Sequence, residues 1–139
     1  MIDTMSDTDR PDEDLNDEMR TIDDALEELI DETAPSLLEC YGVGVVTAAT
    51  LLVTAGDNPD RLHTERSWAH LCGVSPVPAG SGKTSGRVRL SYGGERNANS
   101  ALYQIVLTRM SSAPGPRNYV RRRRAVGLSA REIWRCLRR

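Results

Sequence analysis

The chain has 139 residues, enough for about one domain with a modest core. Its formal net charge of −2 conceals an asymmetry: residues 1–34 carry 14 of the 20 acidic side chains, and residues 35–139 carry 16 of the 18 bases. An acidic arm joined to a basic body points to nucleic acid as the partner of that body. The acidic start and the lack of a long apolar run argue against a signal peptide and a membrane span.

Lys83 is the only lysine, so the bases are otherwise arginine, whose planar fork suits bidentate phosphate contacts. A GC-rich genome would give the same bias without any functional reason. Cys40, Cys72 and Cys136 are odd in number and far apart, which fits a reducing cytoplasm better than a disulfide framework. His63 and His70 have no third ligand at metal-binding spacing and read as ordinary surface or half-buried residues. Phenylalanine is absent, so Leu, Val, Ile and two tryptophans must build the core.

In chain order, residues 1–13 read as a disordered acidic tail and 14–34 as an acidic helix. Within that helix, Leu15, Met19, Ile22, Leu26 and Leu29 recur in steps of four and three, an a/d seam among acids. It suits either an amphipathic helix packed on its own domain or a dimer seam. Residues 36–55 read as a helix-hairpin-helix element around Gly42-Val43-Gly44, where glycines let the backbone approach a phosphate. A plain tight turn between core helices is the alternative. Thr64 is a suitable N-cap for a short helix through Trp68 and Leu71. Residues 73–94, rich in glycine and proline, form a loop, with Val88–Tyr92 a short strand or extended arm. Helices follow at 95–111, 117–126 and 129–139, the last opened by a Ser129/Glu132 capping box. The class is mainly α: a small helical domain with a Gly/Pro-rich loop, a short β segment and a coiled-coil-like acidic helix.

The loop carries the chemistry. Ser81 stands between Gly80 and Gly82, followed by Lys83, Arg87 and Arg89, with Arg96 at the start of the next helix. Cations there can hold a phosphate and stabilise charge that develops on it, although a serine hydroxyl needs activation to attack. On the residues alone, a phosphate-binding or merely flexible loop explains Ser81 as well as a nucleophile does. Gly82-Lys83-Thr84 is not a P-loop: the required upstream glycine position is Val77, and Pro76 and Pro78 spoil the anion nest. Arg121, Arg122, Arg123 and Arg124 add a basic run suited to a nucleic-acid backbone, or to a solvated helix face. The carboxylates lie in the tail and on an outward helix face, unlike a converging metal site.

Four pieces of this chain resemble the C-terminal transposase domain of the bridge-RNA-guided insertion-sequence transposases, the IS-one-ten class of DEDD-type recombinases. They are GVGVVTAATLLVTAGDNPDRL, SWAHLCGVSPVPAGSGKT, GGERNANSALYQIVLTRM and YVRRRRAVGLSAREIWRCLRR, in matching order and spacing from about Ile22 to Arg139. The resemblance implies a role in DNA transposition, with DNA and a guide RNA as partners. It places the nucleophilic serine at Ser81, Ser85 being the lesser assignment, and implies a covalent serine–DNA intermediate. In that family a RuvC-like half with four carboxylates binds magnesium and connects through a coiled coil. No counterpart of that half is present here, so no cofactor is expected in this chain, and magnesium only with the missing domain.

The expectation is a truncated or decayed transposase copy, silent alone, which forms a homo-oligomer or joins full-length transposase through its acidic helix. The alternatives are a non-catalytic nucleic-acid-binding module and a helical interaction protein that uses the Leu15–Leu29 seam.

Overall fold

The structure is a computed structural model that describes residues 10–56, 59–82 and 86–138. Among these, the helices are α1 (Arg10–Thr33), α2 (Pro35–Glu39), α3 (Val45–Ala55), α4 (Glu65–Leu71), α5 (Arg96–Ser112), α6 (Pro114–Ala125) and α7 (Ala130–Leu137). A two-stranded antiparallel ribbon, β1 (Pro76–Pro78) and β2 (Val88–Leu90), lies between α4 and α5. The mainly helical class expected from the sequence is what the chain adopts.

The core lies where α3 crosses α5. Leu51, Cys72, Val74, Ala98, Ala101 and Ile105 form its buried cluster, with Val43, Trp68, Ala69 and Leu102 packed around them. Alanines on both helices keep the crossing close, and each fully buried aliphatic side chain contributes about 1.5–3 kcal/mol. On α5 the apolar positions Ala98, Ala101, Ile105 and Val106 form the buried face, with Leu102 and Met110 half-buried beside them.

The capping residues behave as their types dictate. Thr64 Oγ1 accepts from the Ser67 amide at 3.1 Å. Ser129 and Glu132 cap α7 reciprocally: the Ser129 amide donates to Glu132 Oε2 at 2.9 Å, and the Glu132 amide donates to Ser129 Oγ at 3.4 Å. Glu95 opens α5, its carboxylate accepting from the Ala98 amide at 2.6 Å, which sets negative charge at the positive end of the helix dipole.

Three boundaries differ from expectation. First, α1 begins at Arg10, ahead of the expected Asp14; residues 1–9 lie outside the described part. Second, α6 begins at Pro114 rather than near residue 117. Proline ends α5, yet at the first positions of the next helix its missing N–H and preset φ cost nothing. Arg117 then reaches back to cap α5, donating to Met110 O at 2.9 Å and to Ser111 O. Third, Pro76 and Pro78 sit in a strand within what reads as loop.

That strand is possible because of register. The ladder continues beyond both strands, with Ser91 N–H donating to Ser75 O and Ala79 N–H to Arg87 O, each at 2.9 Å. Val77 faces Arg89 between them, so Pro76↔Leu90 and Pro78↔Val88 are the pairs that exchange no backbone hydrogen bonds. Both prolines therefore occupy sites of an edge strand that need no amide proton.

The acidic helix is held only near its C-terminal end. Ile30 is 2% exposed against the domain and Leu26 is half-buried, while Leu15, Met19, Ile22 and Leu29 are each more than half exposed. The domain thus takes up the Leu26/Ile30 side of α1, one residue round from the seam, and most of the seam faces outward. Packing of α1 on its own domain accounts for Leu26 alone among the seam positions.

Candidate serine loop and nucleic-acid interface

The β-ribbon pins the serine loop at its base. The Ala79–Arg87 rung closes it, and Ser81 and Gly82 are exposed at its described part. Lys83 and Ser85 lie outside the described residues. Arg87 and Arg89 are two apart along an extended strand, hence on one face of the ribbon, and both are exposed. Arg89 lies over the Tyr92 ring, 4.9 Å from its centroid, an arrangement that orients a guanidinium while leaving its edge donors available.

Helix α7 forms the other wall of this region. Arg135 Nη1 donates to Val88 O at 3.3 Å. The Glu132 carboxyl is held below the usual carboxylate range, first by its hydrogen bonds from Ser129 and then by the charges of Arg87 and Arg135. A groove of about 320 Å³ between β2 and α7 is lined by Val88, Leu90, Leu128, Arg87, Arg135 and Cys136. Neither Arg135 nor Glu132 stands out in the sequence as part of this region. The capping box located α7, but nothing in the sequence placed α7 beside β2.

The hairpin glycines divide their roles. Gly42 has φ +84°, and a Cβ there would meet Arg109 Cγ at 3.1 Å and Ile105 O at 3.3 Å. Its bare face is thus used by α5 of the same domain, and Arg109 Nε fastens the turn by donating to Tyr41 O at 2.7 Å. Gly44 is the N-cap of α3, with open space around its Cβ position. Its amide donates to Thr47 Oγ1 at 2.9 Å. The five-residue α2 makes the first arm of the hairpin short.

Arg121, Arg122, Arg123 and Arg124 are all exposed on the last turns of α6, where the helix dipole favours cations. Four consecutive helical residues cover most of the circumference, so Arg121 and Arg124 share a face and the other two point elsewhere. Arg123 lies over Tyr119, 5.2 Å from its centroid. Arg96 is exposed in the first turn of α5.

A second cleft, of about 420 Å³, opens where the α4–β1 turn meets the start of α5. Its floor is a backbone clamp. Asn99 Nδ2 donates to Cys72 O at 3.0 Å and Gly73 O at 3.2 Å, and the Glu95 amide donates to Leu71 O at 2.7 Å. Beneath it, burial pushes the Cys72 thiol up to about 11, helped by the charge of Glu95. The walls include Tyr92, Arg96, Tyr103 and Arg138.

The described acidic residues do not converge as a magnesium centre requires. Among the described residues, no group of three or more His, Cys, Asp or Glu side chains is disposed to hold an ion. The α1 carboxylates are spread along an exposed helix, and no step through a metal follows from the described residues. Among the same residues, no helix is long and apolar enough to cross a membrane.

Residues 34–121 match the Transposase IS116/IS110/IS902 family. The chain is 35% identical over 94 residues to the insertion element IS110 uncharacterized 43.6 kDa protein of Streptomyces coelicolor, covering 68% of this chain and 23% of that protein. It is 29% identical over 94 residues to the insertion element IS900 uncharacterized 42 kDa protein of Mycobacterium paratuberculosis, covering 68% and 24% respectively. The chain thus spans about a quarter of the length of the curated relatives it matches.

Proposed function

The chain belongs to the IS116/IS110/IS902 transposase family, and from that premise we propose that it is a DNA-binding transposase domain whose Ser81 is the nucleophile of strand transfer. The observation that carries this reading is the loop itself. Ser81 is exposed on a segment pinned by the Ala79–Arg87 rung, with Arg87 and Arg89 exposed on the adjoining strand face. Ser81 Oγ forms a bond to a backbone phosphorus while the bridging P–O bond of the strand breaks. The serine proton passes to a base, and the departing strand oxygen takes up a proton. Arg87 and Arg89 bear on the phosphate oxygens, where preorganised positive charge counts most in the transition state.

Arg96, the Arg121–Arg124 run and Lys83 would hold the flanking backbone, and Gly44 would let a phosphate approach the α3 N-terminus. Gly42 belongs to this surface only through the turn that it and Arg109 fix. DNA is the substrate in this reading, with a guide RNA as a further partner. In this reading the isolated chain binds without transferring strands, since the family resemblance assigns the magnesium site to a RuvC-like domain and the carboxylates among the described residues form no such cluster.

Placing Ser81→Ala in a full-length family transposase that carries this segment tests the assignment. Strand transfer should be abolished and DNA binding retained. Persistent transfer by the variant removes Ser81 from the mechanism.

A second reading is supported by the outward-facing arginines of α6, which need no reaction to be useful: a non-catalytic nucleic-acid-binding module. It predicts the same binding and no covalent serine–DNA adduct in any complemented assembly.

A further inference from the structure

We propose that the cleft walled by Tyr92, Arg96, Tyr103 and Arg138 is a subsite for an unstacked nucleotide of a single-stranded nucleic acid. The inference rests on the nucleic-acid reading above and adds a place, a ligand class and a geometry to it. Four observations carry it. Tyr92 is 86% exposed, and Arg89 lies over its ring, which leaves an aromatic surface presented to solvent with a cation beside it. Large exposed aromatics of this kind serve single-stranded binding because every base has a face to stack.

Arg96 and Arg138 both line this cleft, along with Ser91 and Ser100. Arg138 is held in place by donating to Asn99 Oδ1 and by lying over Tyr103, 5.3 Å from its centroid. Tyr103 in turn packs against Trp134 at 5.4 Å. Arg96 and Arg138 thus give the cleft two cationic side chains, and a guanidinium fork suits a phosphate.

The cleft has the size of a small-ligand site, and its floor is rigid because Gly73, Gly94 and Asn99 are clamped together. Its position also suits a single strand. The ribbon from Ser75–Ser91 to Ala79–Arg87 carries the cleft at one end and the serine loop at the other. At a rise of about 3.4 Å per residue, the separation is about 14 Å. That corresponds to about four stacked nucleotides. A base parked against Tyr92 would thus hold a strand so that a phosphate a few nucleotides away falls near Ser81.

The test uses the whole chain with fluorescently labelled oligothymidylate, oligouridylate and a mixed-sequence duplex at one fixed salt concentration. Tyr92→Ala is expected to bind the single strands about tenfold more weakly while leaving the duplex unchanged. Tyr92→Phe should stay within about twofold of wild type, since it keeps the stacking face. Arg96→Gln should weaken single-strand binding as well. An oligomer with abasic positions should bind wild type as weakly as intact oligothymidylate binds Tyr92→Ala. Tighter binding of oligouridylate assigns the subsite to RNA, and tighter binding of oligothymidylate to DNA. Unchanged single-strand affinity in Tyr92→Ala, or an equal loss for duplex, overturns the subsite while leaving the broader nucleic-acid reading intact. A wild-type chain that binds none of the three probes overturns both.

Discussion

Gly94 lies against Gly73 backbone to backbone. A Cβ at position 94 would overlap the Gly73 nitrogen and α-carbon and sit 2.7 Å from the Cys72 carbonyl carbon. This contact joins the end of α4 to the start of α5, carries the Asn99 hydrogen bonds, and fixes the floor of the cleft beside the ribbon.

Gly94→Ala is accordingly predicted to be the most damaging of the simple glycine substitutions. Backbone atoms cannot yield as a flexible side chain would, so a loss of about 2–3 kcal/mol is expected. Gly115→Ala meets nothing within 4 Å on α6 and should be neutral or slightly stabilising. Urea unfolding of the two variants against wild type measures both.

The thiols should separate by environment. Cys72 is buried and its pKa is pushed up to about 11, whereas Cys40 and Cys136 are exposed. Two of the three cysteines should therefore react rapidly with iodoacetamide in the native protein, and Cys72 only after unfolding. The raised value also carries a sign for stability. Below the reference value of 9.0 the contribution of Cys72 is fully present, and it is lost as pH rises toward about 11. Cys72→Ala should flatten that alkaline decline, read as urea midpoint against pH.

The exposed seam on α1 predicts self-association or docking on a related chain. Ile22 is more than half exposed, so Ile22→Glu leaves the domain core untouched while it charges the seam. Sedimentation should show wild type as an oligomer and the variant as a monomer of unchanged helicity. A wild-type chain that already sediments as a monomer at micromolar concentration removes self-association from the account.

Much of this organisation is legible in the residues. The Thr64 and Ser129/Glu132 caps, the buried period of α5 and the helical class follow from local chemistry that needs no partner. The misses have physical reasons. Pro114 reads as a terminator, yet it also starts α6, because a first-turn proline forfeits no hydrogen bond. Pro76 and Pro78 conceal a strand whose register alone makes them admissible. Ile30 is buried where the seam pointed to its neighbours, since one helical residue turns the face by roughly 100°. The roles of Arg109, Arg117, Arg135 and Arg138 as donors within the fold depend on partners six or more residues away. Composition presents all of them as one basic surface.

The central claim, a basic body that binds the nucleic-acid backbone, is tested most directly by the salt dependence of DNA affinity. If Arg87, Arg89, Arg96 and the pair Arg121/Arg124 meet phosphates, log K should fall linearly with log salt at a slope of about −3 to −5. Replacing Arg121 and Arg124 with Gln should reduce that magnitude by about 1–2. Binding indifferent to salt, or a slope unaffected by those two changes together with Arg87→Gln and Arg89→Gln, would contradict the account.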